Sequence, residues 1–210
     1  MGHLKAEDFA LYFFVYGYFR NLKTLFLEES QVTEKDGEWL HELALNNTML
    51  ETLNFYMTDL SKVSFKDLEL IATKCKSLVS VKIGDCEILD LVGFFRAAVS
   101  LQEFGGGCFN DQARGYGDLT YPPKLCRLGL NYMSTYELPI VFPLASRLKK
   151  LDLLYCLLDT EDHCLLLQRC PNLEVLEVDS FRVCFCDVKW DSFRLRNRDN
   201  VCNFRLCLIN

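Results

Sequence analysis

The strongest constraint on this chain is a recurring spacing of leucines. The stretches "NLKTLFL", "MLETLNF", "SLVSVKI", "SLQEFGG", "KLCRLGL", "RLKKLDL" and "NLEVLEV" each carry an apolar residue, a second three positions on and usually a third two beyond that. Their first anchors are Leu22, Leu50, Leu78, Leu101, Leu125, Leu148 and Leu173, separated by 28, 28, 23, 24, 23 and 25 residues. Side chains alternate across a strand, so the closing apolar-x-apolar triplet points two residues inward and leaves the one between them on the open face.

All six gaps lie within the roughly 20 to 29 residues of leucine-rich repeats. Between anchors the chain must return, and two returns read as amphipathic helices. "TEKDGEWLHELAL" puts Trp39, Leu40, Leu43 and Ala44 on one face, and "SFKDLELIATKC" does the same with Leu68, Ile71, Ala72 and Cys75. Thr33 with Asp36, and Ser64 with Asp67, place a capping hydroxyl and a first-turn carboxylate at the helix starts; Thr160 with Glu161 and Asp162 opens a third helix similarly. Small residues or thiols stand three positions before the anchors, at Cys75, Ala98, Ala145 and Cys170, where helix and strand crowd together. A helix is about 10 Å wide and strands are about 4.8 Å apart, so stacked units bend with the strands inside. The expected fold is α/β: a right-handed, curved leucine-rich-repeat solenoid of about six or seven units, with short parallel strands concave and helices convex.

Three regions depart from the period. Residues 1–20 hold the apolar run "FALYFFVYGYF", about 11 residues where a membrane span needs roughly 20, and lack a secretory leader's pattern, so they read as an atypical helical segment. Residues 105–124 are rich in glycine and end in Pro122-Pro123, which predicts an extended loop replacing one convex helix; Pro139 and Pro143 shorten the next. Residues 179–210 keep neither period nor helix pattern, the break falling at Val178 as from a retained intron or misjoined exon. The repeats therefore occupy 21–178.

Chemistry-bearing motifs are few. Gly105–Gly107 lacks the Gly-Lys-Ser/Thr of a phosphate loop. His163 and Cys164 are helix neighbours pointing about 100° apart, unsuited to a nucleophile and base. Cys184-x-Cys186 is followed only by Cys202 and Cys207, without zinc spacing, and the acids Glu28, Glu29, Glu34, Asp36, Glu38 and Glu42 read as a solvated run. No catalytic or metal residue is expected. Eleven cysteines, an odd number without a secretory leader, imply free thiols in a reducing compartment, nucleus or cytoplasm. With 23 basic against 29 acidic residues, no nucleic-acid partner and no membrane are expected. The residues between and beside the strand leucines, Lys23, Phe26, Thr52, Asn54, Lys82, Arg127, Lys150 and Asp152, form a mixed set suited to binding protein.

The stretches "EESQVTEKDGEWLHELALNNTMLETLNFYMTDL", "KSLVSVKIGDCEILDLVGFFRAA", "KLCRLGLNYM" and "RLKKLDLLYCLLDTEDHCLLLQRCPNLEVLE" closely resemble the plant coronatine-insensitive family of F-box leucine-rich-repeat jasmonate receptors. The resemblance covers about residues 20–177. It implies a substrate-recognition subunit of an SCF-type ubiquitin ligase that binds a transcriptional repressor's degron through jasmonoyl-isoleucine and an inositol phosphate. It also implies a Skp1-like adaptor on an F-box ahead of the repeats. The 21 residues before Leu22 are too short for that module. No hormone-contacting residue of the family is carried over, so the expectation is a central solenoid fragment with the pocket largely outside it. The alternatives are a generic leucine-rich-repeat scaffold without a ligase role, or an inactive truncated product.

Overall fold

The computed structural model describes residues 21–27, 38–56, 58, 63–84, 86–109, 115–142, 145–156, 158, 160–179 and 203–206. They fall into two compact units, 1–107 with 120–125, and 108–119 with 126–210.

In the first unit, strands β1 (Thr24–Phe26), β2 (Thr52–Asn54), β3 (Ser80–Lys82) and β4 (Glu103–Cys108) pair parallel in chain order. The second apolar residue of each anchor pattern stays in register, Leu25 beside Leu53, Leu53 beside Val81 and Val81 beside Phe104. Helices α1 (Glu38–Asn46), α2 (Phe65–Lys74) and α3 (Val92–Ala97) return the chain. The predicted faces are the buried ones: Trp39, Leu40, Leu43 and Ala44 on α1, and Leu68, Ile71 and Ala72 on α2, with Cys75 just after it. Trp39 meets Phe55 edge-on at 5.5 Å. Phe95 packs against Phe104 at 4.9 Å, making an aromatic centre in which both rings are fully buried.

Ser64 caps α2 as expected, its Oγ accepting from the Lys66 N–H at 3.3 Å. The Thr33–Asp36 cap and the acids Glu28, Glu29, Glu34 and Asp36 lie outside the described residues. The small corner residues share one turn: Leu78, Leu101, Leu148 and Leu173 each donate, at 3.1 Å, to the carbonyl three positions back, on Cys75, Ala98, Ala145 and Cys170. One polar link also repeats. The carbonyl just after an anchor accepts two N–H groups of the next repeat: Lys23 from Glu51 and Thr52, Glu51 from Val79 and Ser80, and Cys126 from Lys149 and Lys150.

The glycine run corrects the loop expectation. Gly105 to Gly107 belong to strand β4, with Gly105 in register with Lys82 and its carbonyl accepting from Ile83 at 2.8 Å. Gly106 and Gly107 hold φ of 109° and 87°, and a Cβ on Gly106 would run into the Ile83 carbonyl. Glycine is there because β4 lies hard against its neighbour, not because the chain leaves the sheet.

In the second unit, β5 (Arg127–Asn131), β6 (Lys150–Leu154), β7 (Val175–Asp179) and β8 (Asn203–Leu206) pair parallel in chain order. Asn203 stands beside Val175, 28 positions on, so the tail contributes a strand at a repeat-like distance. Helix α4 (Leu138–Val141) has only four residues, with Pro139 in its first turn, while α5 (Thr160–Arg169) starts at Thr160. Asp162 of α5 is buried and accepts from Thr135 Oγ1 at 2.8 Å. Burial pushes the Cys156 and Cys170 thiols up to about 12, so both stay protonated and act as small apolar side chains. Among the described residues no helix is long and apolar enough to cross a membrane.

Candidate protein-recognition surface

Parallel register turns the two positions flanking each strand's inward apolar residue into rows, one residue per strand. In the first unit one row runs Thr24, Thr52, Ser80 and Glu103, and the other Phe26, Asn54, Lys82 and Gly105. In the second the rows are Arg127, Lys150, Val175 and Gly129, Asp152, Glu177. Seven of the eight residues expected to bind protein thus sit on strands, in two separate sets.

Within the first set they differ in availability. Phe26 is 54% exposed, a large apolar ring on an otherwise polar row, and Lys82 is exposed beside Gly105. Thr52 is half-buried. Asn54 departs from expectation: it is buried, and its carboxamide oxygen accepts from the Tyr56 N–H at 3.0 Å, so its side chain closes its own turn. Lys23 lies ahead of β1 and pairs with Glu51 at 2.9 Å. Both partners are well exposed, and such pairs contribute ~0 to 1 kcal/mol.

The second set is a charge cluster. Lys150 Nζ lies 3.2 Å from Asp152 and 3.1 Å from Glu177, whose carboxyl stands beside Asp152 across the strands. Oδ1 of Asp152 is buried and, despite the ion pair, has no aligned hydrogen bond. Burial, together with the hydrogen bond to the Glu177 carboxyl and against the pull of Lys150, raises Asp152 to about 6. Burial works against the Lys150 ammonium, but its hydrogen bond to Glu177 and the attraction of Asp152 outweigh this and hold it above the ordinary lysine value. Arg127 is exposed at the head of β5.

A carboxyl whose folded value is raised contributes stability that is complete below its unfolded value, near 4, and is lost as pH climbs through about 6. Asp152→Asn is therefore expected to flatten the pH profile of thermal unfolding, gaining on the parent protein between pH 4.5 and 7.5. With the side chain about a third exposed, the gain is on the order of 1 kcal/mol or less. Parallel profiles, read by circular dichroism, would show that the raised carboxyl is not coupled to folding.

Three further residues belong to this surface. Glu177 fills the position of Asp152 one repeat later, and its place between Leu176 and Val178 was a legible signal. Tyr132 and Tyr155 each stand seven residues after an anchor, Leu125 and Leu148, at the C-terminal ends of β5 and β6. Both adopt left-handed backbone, φ 57° and 55°, a conformation costing a non-glycine residue about 1–2 kcal/mol. Their rings stack at 5.3 Å with 18° between planes, and the Tyr132 N–H donates to Leu154 O at 2.9 Å.

Among the described residues no group of His, Cys, Asp or Glu could hold a metal ion. Cys184, Cys186, Cys202 and Cys207 lie outside them, as does the His163 side chain; Cys164 is exposed on α5.

No family model matches the chain. Curated proteins do. Coronatine-insensitive protein 1 of Arabidopsis thaliana is 63% identical over 161 residues, 75% of this chain and 27% of that protein. This chain matches a fragment of a coronatine-insensitive protein. The rice (Oryza sativa subsp. japonica) coronatine-insensitive homologs 1b and 2 are 58% and 52% identical over 76% of the chain. GRR1-like protein 1 of Arabidopsis thaliana is 32% identical over 167 residues. The chain spans about a quarter of the length of these curated relatives. The identity joins with the parallel strands and returning helices to make the α/β leucine-rich-repeat fold that of the coronatine-insensitive relatives.

Proposed function

We propose that the chain is a recognition segment of an F-box, leucine-rich-repeat hormone receptor of the coronatine-insensitive type. The observation that supports this most is 63% identity to the Arabidopsis relative across 161 residues. In this reading the repeats serve jasmonate-dependent ubiquitination as the substrate-recognition wall of an SCF-type ligase, without catalysing ubiquitin transfer. The partner is a transcriptional repressor's degron, held with jasmonoyl-isoleucine and an inositol phosphate in a pocket largely supplied by other repeats. A Skp1-like adaptor joins only where an F-box is present. The site of action is the nucleus, the cytoplasm or both.

A chimera tests this. The Arabidopsis coronatine-insensitive protein with its matching 161-residue segment exchanged for the one from this chain is expected to capture the repressor degron only when hormone is added. The purified chain alone is expected to bind neither degron nor Skp1-like adaptor. A chimera that folds yet fails to capture would favour a generic leucine-rich-repeat scaffold, and direct adaptor binding by the chain alone would overturn the assignment of domains.

A further inference from the structure

We infer that the outer edge of β7 is a strand-docking site, and that its occupant is this chain's own β8, which keeps a second copy of the chain from pairing there. The inference stands apart from the receptor reading, since residues 203–206 lie beyond the stretches that carry the family resemblance.

Backbone chemistry makes the site. β7 pairs with β6 through all five of its residues, Val175 to Asp179 matching Lys150 to Leu154. The N–H and C=O groups of a strand point alternately to its two sides, so pairing with β6 engages only half of them. The rest would form an open row able to template any strand of matching pattern. β8 takes that row, with Asn203 to Leu206 in parallel register with Val175 to Val178.

Register then selects the occupant. Two rows of leucine cross this sheet, Leu128 with Leu151 and Leu176, and Leu130 with Leu153, and every one of these leucines is buried. The first row continues to Phe204, and the second through Val178 to Leu206. Asn203 and Arg205, the polar members of Asn-Phe-Arg-Leu, fall at the register positions of Val175 and Glu177 instead. A slip of one residue would put the polar pair in the leucine rows. From β7 to β8 the displacement is 28 positions, the same as from β1 to β2 and from β2 to β3. The tail abandons the leucine anchors yet keeps, at β8, the alternation and the spacing that the β7 edge accepts. A second copy is the natural competitor, because two uncovered β7 edges can pair antiparallel about a two-fold axis.

The test keeps the full chain and permutes β8 by Asn203→Phe, Phe204→Asn, Arg205→Leu and Leu206→Arg, which preserves composition and net charge but shifts the alternation by one residue. Hydrogen exchange read by mass spectrometry at low protein concentration is expected to be slow at 175–178 in the parent protein and about tenfold faster or more in the permuted chain. Exchange at 127–131 and 150–154 should stay as in the parent, which separates an undocked β8 from a failure to fold. Phe204→Leu with Leu206→Val keeps the alternation and should match the parent throughout. In sedimentation velocity the parent is expected to be a monomer, and the permuted chain to move toward the mass of a dimer as its concentration rises. Equal exchange at 175–178 in parent and permuted chains would overturn the docking, and faster exchange in a chain that stays monomeric at every concentration would overturn the shielding. A parent that is itself a dimer, losing protection at 175–178 on dilution, would overturn the assignment of the occupant to the same copy.

Discussion

Replacing Phe104 by alanine is expected to destabilise the first unit by about 3–5 kcal/mol. The ring is 1% exposed and belongs to the second residue of β4, between Phe94 at 6.2 Å and Phe95 at 4.9 Å, the latter edge-on at 80°. Truncation removes the transfer of a whole aromatic ring from water, adds an unfilled void, and forfeits aromatic pairing of ~0.5–1.5 kcal/mol per contact. Against a total stability of about 5–15 kcal/mol, that loss is a large fraction. Urea unfolding should show the midpoint fall with little change in slope. Phe26→Ala on the open row, where the ring is 54% exposed, should move the midpoint only slightly. Similar midpoints for both variants would remove the aromatic cluster from the core.

Gly106→Ala is expected to be nearly as damaging, by about 3 kcal/mol or more, for two separable reasons. The backbone at φ 109° is one that an L side chain resists, and the new methyl would meet the Ile83 carbonyl, which is backbone and cannot rotate aside. Relief would require β4 to move off β3, breaking the Ile83 N–H to Gly105 bond, worth about 1 kcal/mol. Two controls divide the effect. Gly115 has a similar φ of 111° with nothing within 4 Å of the added carbon, so Gly115→Ala should report the conformational cost alone. Gly117 has open space and an ordinary φ, so Gly117→Ala should be close to neutral. If Gly106→Ala costs no more than Gly115→Ala, the close approach of the strands is not what demands glycine.

These two positions show what the sequence does and does not make legible. Phe104 is readable because it occupies the second apolar place of its repeat, as Leu53 and Val81 do, and burial follows from alternation. The faces of α1 and α2 are readable for the same reason, since periodicity is a local property of the chain. Gly106 is not readable, because a glycine run looks the same whether it frees the chain or fits it against a neighbour. Only the distance to Ile83 decides. Asn54 likewise takes the outward place in its triplet, yet the Tyr56 N–H draws its carboxamide into a turn. The cluster of Lys150, Asp152 and Glu177 was half legible: the register follows from the anchors, but the raised Asp152 depends on burial. The tyrosine pair was recoverable by counting seven from each anchor, while its left-handed backbone has no signature in residue type.

The carbonyl after each anchor, shared by two N–H groups of the following repeat, has a consequence for how such a protein tolerates insertion and deletion. Strand partners are 28, 28 and 23 positions apart in the first unit and 23, 25 and 28 in the second, yet the rows never slip. The variation is absorbed in the returning segments, and the joint at the anchor resets the frame for each repeat. Residues, and whole foreign segments, can thus be spliced into a return without disturbing the order of side chains on the strand face, whereas one residue added between an anchor and its triplet would turn that strand's face over. An engineer seeking a place for a reporter domain would choose the returns for this reason, and evolution has been free to edit there on the same terms.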